Sequence, residues 1–327
     1  MLGKRDKMQL AKTSAAYQTY SLQPAHGRRP VHGVRFSQTL LASVGFDGSI
    51  QFWSAFGDFP SVAVAQLSKR PTLQVDFYNK YRACAVAAAD GNIYLVDADE
   101  SFSSIGTLSG HQSYVNGICG MGENSVISSS DDYTVRVWDV RESVDAVAVF
   151  DLGREATAVT WSSQQPNQIF CGCLDNLIRC FDPRKPDVPI FTMTFHKDTV
   201  TGLDITSDGR ELLSSALDGT IAVWDAAPFS ARNDRLITNI RHGLPAAESI
   251  SDRSLLRCAW SPDDRFFAAG SGSGSEYVVC MWDRKGTPAK AFQGHSGFVT
   301  EVSFHPTEDL MATCGMDGRL LVGGYAS

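Results

Sequence analysis

The 327-residue chain lacks several features that would place it in a class at once. It has no apolar run near the roughly 18 residues that a membrane-spanning helix requires, so no membrane span is expected. Its first residues, Met1 to Lys12, are polar, contain Lys4-Arg5-Asp6-Lys7 and have no apolar centre of the secretory-signal kind. A solvated basic tail over residues 1–14 is the expectation. An excess of positive charge is also missing. The formal net charge is -7, which argues against a surface built to clasp a phosphate backbone and leaves only a local basic patch open. Eight cysteines are present, but none has Cys-x-x-Cys or Cys/His zinc spacing. They lie in apolar runs such as Arg82-Ala83-Cys84-Ala85-Val86 and read as buried free thiols of a reducing compartment, with no metal.

Catalytic signatures are absent too. No Gly-x-Ser-x-Gly elbow and no His-Glu-x-x-His occurs. The run from Gly270 to Ser275 is followed by Glu276 and not by the Lys-Ser/Thr of a phosphate cradle, so it reads as a flexible turn. No catalytic residue and no cofactor is assigned, and the chain is expected to be a non-enzyme.

What is there instead is a repeat. In Ser128-Ser129-Ser130-Asp131-Asp132-Tyr133-Thr134-Val135-Arg136-Val137-Trp138-Asp139 a turn aspartate is followed six residues later by a tryptophan, across an alternating segment. The same spacing joins Asp47 to Trp53, Asp90 to Val96, Asp175 to Phe181, Asp218 to Trp224, Glu276 to Trp282 and Asp317 to Gly323. The later member recurs at intervals of 43, 42, 43, 43, 58 and 41 residues. A period near 42 with four short strands per unit predicts an all-β, seven-bladed β-propeller over residues 15–327. The long interval places an inserted loop at about 230–253.

A second landmark has the same period. His26, His111, His196 and His295 each precede a turn acid by 21 or 22 residues, and Ser43, Ser128, Ser214 and Thr313 stand four residues before it. A buried indole N–H and a buried carboxylate both need partners. His111, Ser128, Asp132 and Trp138 are therefore expected to form one structural hydrogen-bond set, and His196, Ser214, Asp218 and Trp224 another. The last unit stops one strand short, and Tyr17 to Leu22 alternates suitably to supply it. That strand would close the ring and remove an exposed edge.

The residue before each turn acid should emerge on one face of the disc. Phe46, Asp131, Leu174, Leu217 and Met316 are such residues, and Tyr114 and Phe298 start neighbouring strands. Large apolar side chains at such positions predict a protein-interaction face.

The Gly-His pairs (Gly110-His111, Gly294-His295) and Trp-Asp pairs (Trp138-Asp139, Trp224-Asp225, Trp282-Asp283) resemble those of the WD-repeat propellers. Within that family, His111-Gln112-Ser113-Tyr114-Val115-Asn116, Leu174-Asp175-Asn176-Leu177-Ile178-Arg179, Trp224-Asp225-Ala226-Ala227-Pro228-Phe229 and Leu255-Leu256-Arg257-Cys258-Ala259-Trp260 are similar to stretches of the WD-repeat subunits of the spliceosomal U5 snRNP. The resemblance implies a nuclear scaffold in pre-mRNA splicing, a monomer within a larger assembly. It would bind the large U5 snRNP core protein and other splicing factors, without sequence-specific nucleic-acid contacts. A second reading is a substrate receptor of a cullin-RING ubiquitin ligase. It rests on Trp138-Asp139-Val140-Arg141 and its imitation Phe181-Asp182-Pro183-Arg184, where Arg141 and Arg184 would meet the ligase adaptor. A propeller enzyme or lectin would need convergent polar residues in the central channel, which the small, apolar first strands do not suggest.

Overall fold

The computed structural model describes residues 19–22, 25–141, 145–241, 255–273 and 276–325. Within them the strands form seven four-stranded antiparallel sheets. In six sheets the strands follow chain order from the inside outward, as in the first blade: Val31–Phe36, Leu40–Gly45, Ser49–Ser54 and Ser61–Gln66. The seventh is composite. Val299–Phe304, Leu310–Gly315 and Leu320–Gly324 take their outer strand from Thr19–Leu22, with Thr19 opposite Gly323 and Leu22 opposite Leu320. The fold is a seven-bladed β-propeller closed by its own N-terminal strand.

Blades one, three, five and seven are pinned by the repeated polar set. His111 Nδ1 lies 2.7 Å from Asp132 Oδ2, and its Nε2 lies 2.7 Å from the Ser128 hydroxyl, which also accepts the Trp138 indole N–H at 2.8 Å. One hydroxyl thus serves two buried rings. His26, Ser43, Asp47 and Trp53 repeat the arrangement, and His295, Thr313 and Asp317 repeat it without an indole. Blade five differs in one bond. His196 Nε2 and the Trp224 indole both reach Ser214, but His196 Nδ1 meets the Thr220 hydroxyl at 2.9 Å and stays 3.5 Å from Asp218. Asp218 bonds Thr220 and the Lys197 N–H instead. Burial alone would raise the Asp47 carboxyl, but His26 and Ser49 hold it down at about 2. Blade two has neither ring, and its Asp90 takes bonds from Ser68 and Tyr94.

Two expectations need correction. Leu236–Arg241 is the outer strand of blade five, paired with Thr220–Trp224, so residues 236–241 are not loop. The Leu-Ile-Thr-Asn-Ile-Arg alternation takes the open edge of that blade; residues 242–253 of the expected loop lie outside the described residues. The glycine-serine run is likewise mostly strand. Phe266–Ser273 pairs with Glu276–Asp283 through Ser273 opposite Glu276. Glu276 therefore starts a strand and is not in the turn. The expected tail, 1–14, and Ser275 also lie outside the described residues. All eight cysteines are free and buried.

Neighbouring serines on one strand should differ sharply in their response to substitution. Ser128→Ala strands the buried Trp138 indole N–H and the His111 Nε2 and is expected to lower unfolding free energy by about 2–4 kcal/mol in urea titrations, since each orphaned group costs roughly 1–3 kcal/mol. Ser129 is equally buried, but its hydroxyl has no partner. Ser129→Ala should change stability by less than about 0.5 kcal/mol.

Candidate protein-interaction face

The innermost strand of each blade bonds its own second strand on one side only. Its other edge faces the channel with unpaired N–H and C=O groups, which need partners. Side chains from the preceding blade supply them. The residue at the first turn of these strands bulges, and its side chain reaches the carbonyl of the next blade's strand start. Thr300 bonds Val31, His32 bonds Thr72, Asn116 bonds Ala156, Thr157 bonds Val200 and Thr201 bonds Leu256. One position deeper, long side chains accept N–H groups. Glu301 takes that of Val34 at 2.8 Å, and Gln74 that of Ile118 at 2.9 Å. Close packing leaves no room for a side chain at two neighbouring glycines: a Cβ at Gly33 would lie 2.9 Å from Val44 Cγ2 and 3.1 Å from Glu301 Oε2, and one at Gly117 would lie 2.5 Å from the Ser129 hydroxyl. Deeper again, Asp76 accepts from Gly120, Asp204 from Trp260 and Ser303 from Phe36.

Blade six contributes Arg257 at the equivalent place. Its guanidinium crosses the channel to the carbonyls of His32, Leu73 and Asn116 and stands 4.0 Å from Glu301. Burial pushes the Glu301 carboxyl up, against the pull of Arg257 and Arg35. The channel is therefore polar, contrary to the expectation from small first strands. Its carboxylates are nevertheless engaged as acceptors: Arg35 donates to Asp76 at 2.8 Å, and Asp204 holds two backbone N–H groups. A cavity of about 380 Å³ opens at one channel mouth beside these residues and Phe304.

The opposite mouth carries the residues singled out from the repeat. The N–H groups of Phe46, Ala89, Asp131, Leu174, Leu217 and Met316 bond the carbonyls of Pro30, Pro71, Tyr114, Glu155, Thr199 and Phe298, each the residue just before an inner strand. Equivalent bonding puts these side chains on equivalent places around one face. It also brings Asp131 against Tyr114 and Met316 against Phe298. Exposure is uneven. Phe46 and Tyr114 are about half exposed, at 51% and 52%, whereas Asp131, Leu174, Leu217, Met316 and Phe298 are partly covered. Phe298 packs edge-on against Tyr277 at 5.2 Å, and Asp131 accepts from Asn116. The face is thus a mixed surface with two prominent aromatics, and not a continuous apolar ring. Tyr133, 47% exposed beside Asp132, joins it and was not singled out from the sequence, because its position in the turn is not apolar in other blades.

Arg141 and Arg184 lie on the other face. Each folds back on the aspartate two residues earlier with two charge-assisted bonds: Arg141 to Asp139 at 2.9 and 2.6 Å, Arg184 to Asp182 at 2.9 and 2.7 Å. Their guanidinium forks are already occupied.

The model of the WD domain, G-beta repeat, matches residues 102–139, 187–225, 250–283 and 286–322. Across most of its length the chain is 34% identical to the U5 small nuclear ribonucleoprotein 40 kDa protein of Homo sapiens, over 87% of this chain and 77% of that one. The chain belongs to this WD-repeat family. It is also 31% identical to the pre-mRNA-splicing factor cwf17 of Schizosaccharomyces pombe, over 88% of this chain and 82% of the relative. Among solved structures, the β-propeller domain of Cps50 (Swd1) from Myceliophteria thermophila superposes with a TM-score of 0.77 over 94% of this chain and 98% of that one. At 18% identity that likeness concerns the WD-repeat fold alone.

The channel set gives a direct test. Arg257→Met leaves three carbonyls and Glu301 without their cation and is expected to cost about 3–5 kcal/mol in denaturant unfolding. Adding Glu301→Gln should recover part of that loss; a double variant no more stable than the single one would show that the pair is not coupled.

Proposed function

We propose that this WD-repeat protein is a non-catalytic protein-interaction scaffold of the U5 snRNP, acting in pre-mRNA splicing in the nucleus. The observation that carries the reading is sequence identity of 31–34% to splicing proteins over nearly nine-tenths of the chain. Structure adds a physical reason. The histidines and turn acids that could do chemistry hold the blades, and the channel carboxylates hold the inner strands. The exposed turn residues are left to meet partners, as loops on a rigid scaffold do. The partners are protein neighbours in that particle, the large core protein first among them, as the family resemblance implies. The docking face is the one that carries Phe46, Tyr114, Asp131, Leu174, Leu217, Phe298 and Met316. A ligase-adaptor role through Arg141 and Arg184 is the weaker reading, because both guanidinium groups are bonded within their own turns.

Affinity purification of the tagged protein, with identification of protein and RNA, tests this. Wild type should recover U5 particle proteins. Phe46→Glu with Leu217→Glu should abolish that recovery while leaving the thermal melt nearly unchanged, and Arg141→Glu with Arg184→Glu should keep it. Recovery of a ligase adaptor in place of the particle, or loss of folding in the first variant, would contradict the proposal.

A further inference from the structure

One sector of the docking face differs in charge from the rest of this acidic chain. The turn bearing Phe46 sits between two dibasic loops. On one side the Phe46 N–H bonds the Pro30 carbonyl at 2.9 Å, and Pro30 follows Arg28-Arg29. On the other, the N–H groups of Leu67 and Ser68 bond the Gly48 carbonyl at 3.1 Å, and Lys69-Arg70 follow directly. Glycine at 48, with φ +75, is what permits this approach, since a Cβ there would lie 2.6 Å from the Arg70 carbonyl oxygen. Arg28, Arg29, Lys69 and Arg70 are all exposed, and none has an ion-pair partner among the described residues. The nearby acids are engaged elsewhere: Asp47 by His26 and Ser49, Asp90 by Ser68 and Tyr94. Phe46, half exposed, lies in the turn between these two loops with its ring edge-on to His32 at 6.4 Å.

We propose that this sector is a docking site for an acidic peptide segment that carries a large apolar side chain. The proposal rests on the reading that this face of the disc meets partners, and it adds the chemistry of one of them. Four cations without ion pairs among the described residues, in loops on either side of one exposed ring, complement a segment whose carboxylates flank an apolar anchor, an arrangement that gives affinity through the ring and orientation through the charges. A nucleic-acid strand suits the site less well. Successive bases need several stacking rings, and here one is offered. A phosphate backbone continuing around the face would also meet the Asp131 and Asp218 carboxylates.

Fluorescence anisotropy on the full chain tests it with three probes of equal length. One is the peptide Asp-Glu-Asp-Leu-Phe-Glu-Asp-Glu, one has serine in place of its leucine and phenylalanine, and one is single-stranded oligouridine. The first should bind saturably and weaken with salt. Lys69→Glu with Arg70→Glu, or Phe46→Ser, should weaken it by about tenfold or more. The other two probes should bind less tightly, and Val188→Glu, at an exposed loop residue outside the docking face, should leave the first unchanged. All these positions are exposed or partly exposed turn and loop residues, and unchanged melts show that the variants fold. No saturable binding to wild type, binding indifferent to both variants, or tighter binding of oligouridine overturns the proposal. If the peptide fails while Phe46→Glu with Leu217→Glu still loses its co-purified proteins, only the acidic-peptide assignment falls. If neither responds, the docking face falls with it.

Discussion

The innermost strand of a propeller blade has a row of backbone groups with no strand to pair with, and the rest of this structure depends on how that row is satisfied. Buried backbone donors and acceptors without partners cost roughly 1–3 kcal/mol each. Here five of the seven blade boundaries use a short hydroxyl, amide or imidazole side chain to reach the next strand's carbonyl. Glu301, Gln74, Asp76 and Asp204 take the N–H groups. Leu73 has no polar group to offer at the boundary of blades two and three, and the Arg257 guanidinium arrives from across the channel close to that point. Charges that would suggest a catalytic centre in another setting are here the means by which blades are stitched together.

The same economy runs through the blades that carry the repeated histidine. A hydroxyl such as Ser128 serves an imidazole and an indole at once, and the turn carboxylate serves the other ring nitrogen. With the interior polar groups used in this way, the ring is a rigid frame, and variation is left to the residues that emerge beside the turn acids. Phe46, Asp131 and Leu217 occupy equivalent backbone positions yet differ in size and charge, so one frame displays a different group in each sector. That is how a repeat built for stability becomes an asymmetric surface, with two dibasic loops flanking the turn of blade one alone.

The propeller was legible because its signals recur. The acid-to-tryptophan spacing, the histidine 21 or 22 residues before it and the hydroxyl four residues before it are local, periodic and independent, and they converge on one arrangement. The closing strand was legible because a unit was one strand short. Features that occur once were not. Gln74, Asp204, Arg257 and Glu301 stand at different offsets in their strands, and their common role appears only when neighbouring blades are brought together. Leu236–Arg241 alternates as a strand should, but Arg232, Asp234 and Arg235 just before it made the whole stretch read as loop. Glu276 mimicked a turn acid because the blade-six hairpin extends beyond the repeat length. The repeat puts the residues before the turn acids at equivalent backbone positions, while how far each side chain is covered depends on neighbouring loops that no periodicity describes.

Cross-linking of the purified assembly with a lysine-reactive reagent tests the central claim most directly. Lys69 and Lys197 lie in loops on the Phe46 face, and Lys80 and Lys285 lie in loops on the Arg141 face; all four are exposed. If the frame presents its turn residues to partners, links to partner proteins should come from Lys69 and Lys197 and be sparse from Lys80 and Lys285. Partner links concentrated at Lys80 and Lys285, with Lys69 and Lys197 unlinked, would contradict the account.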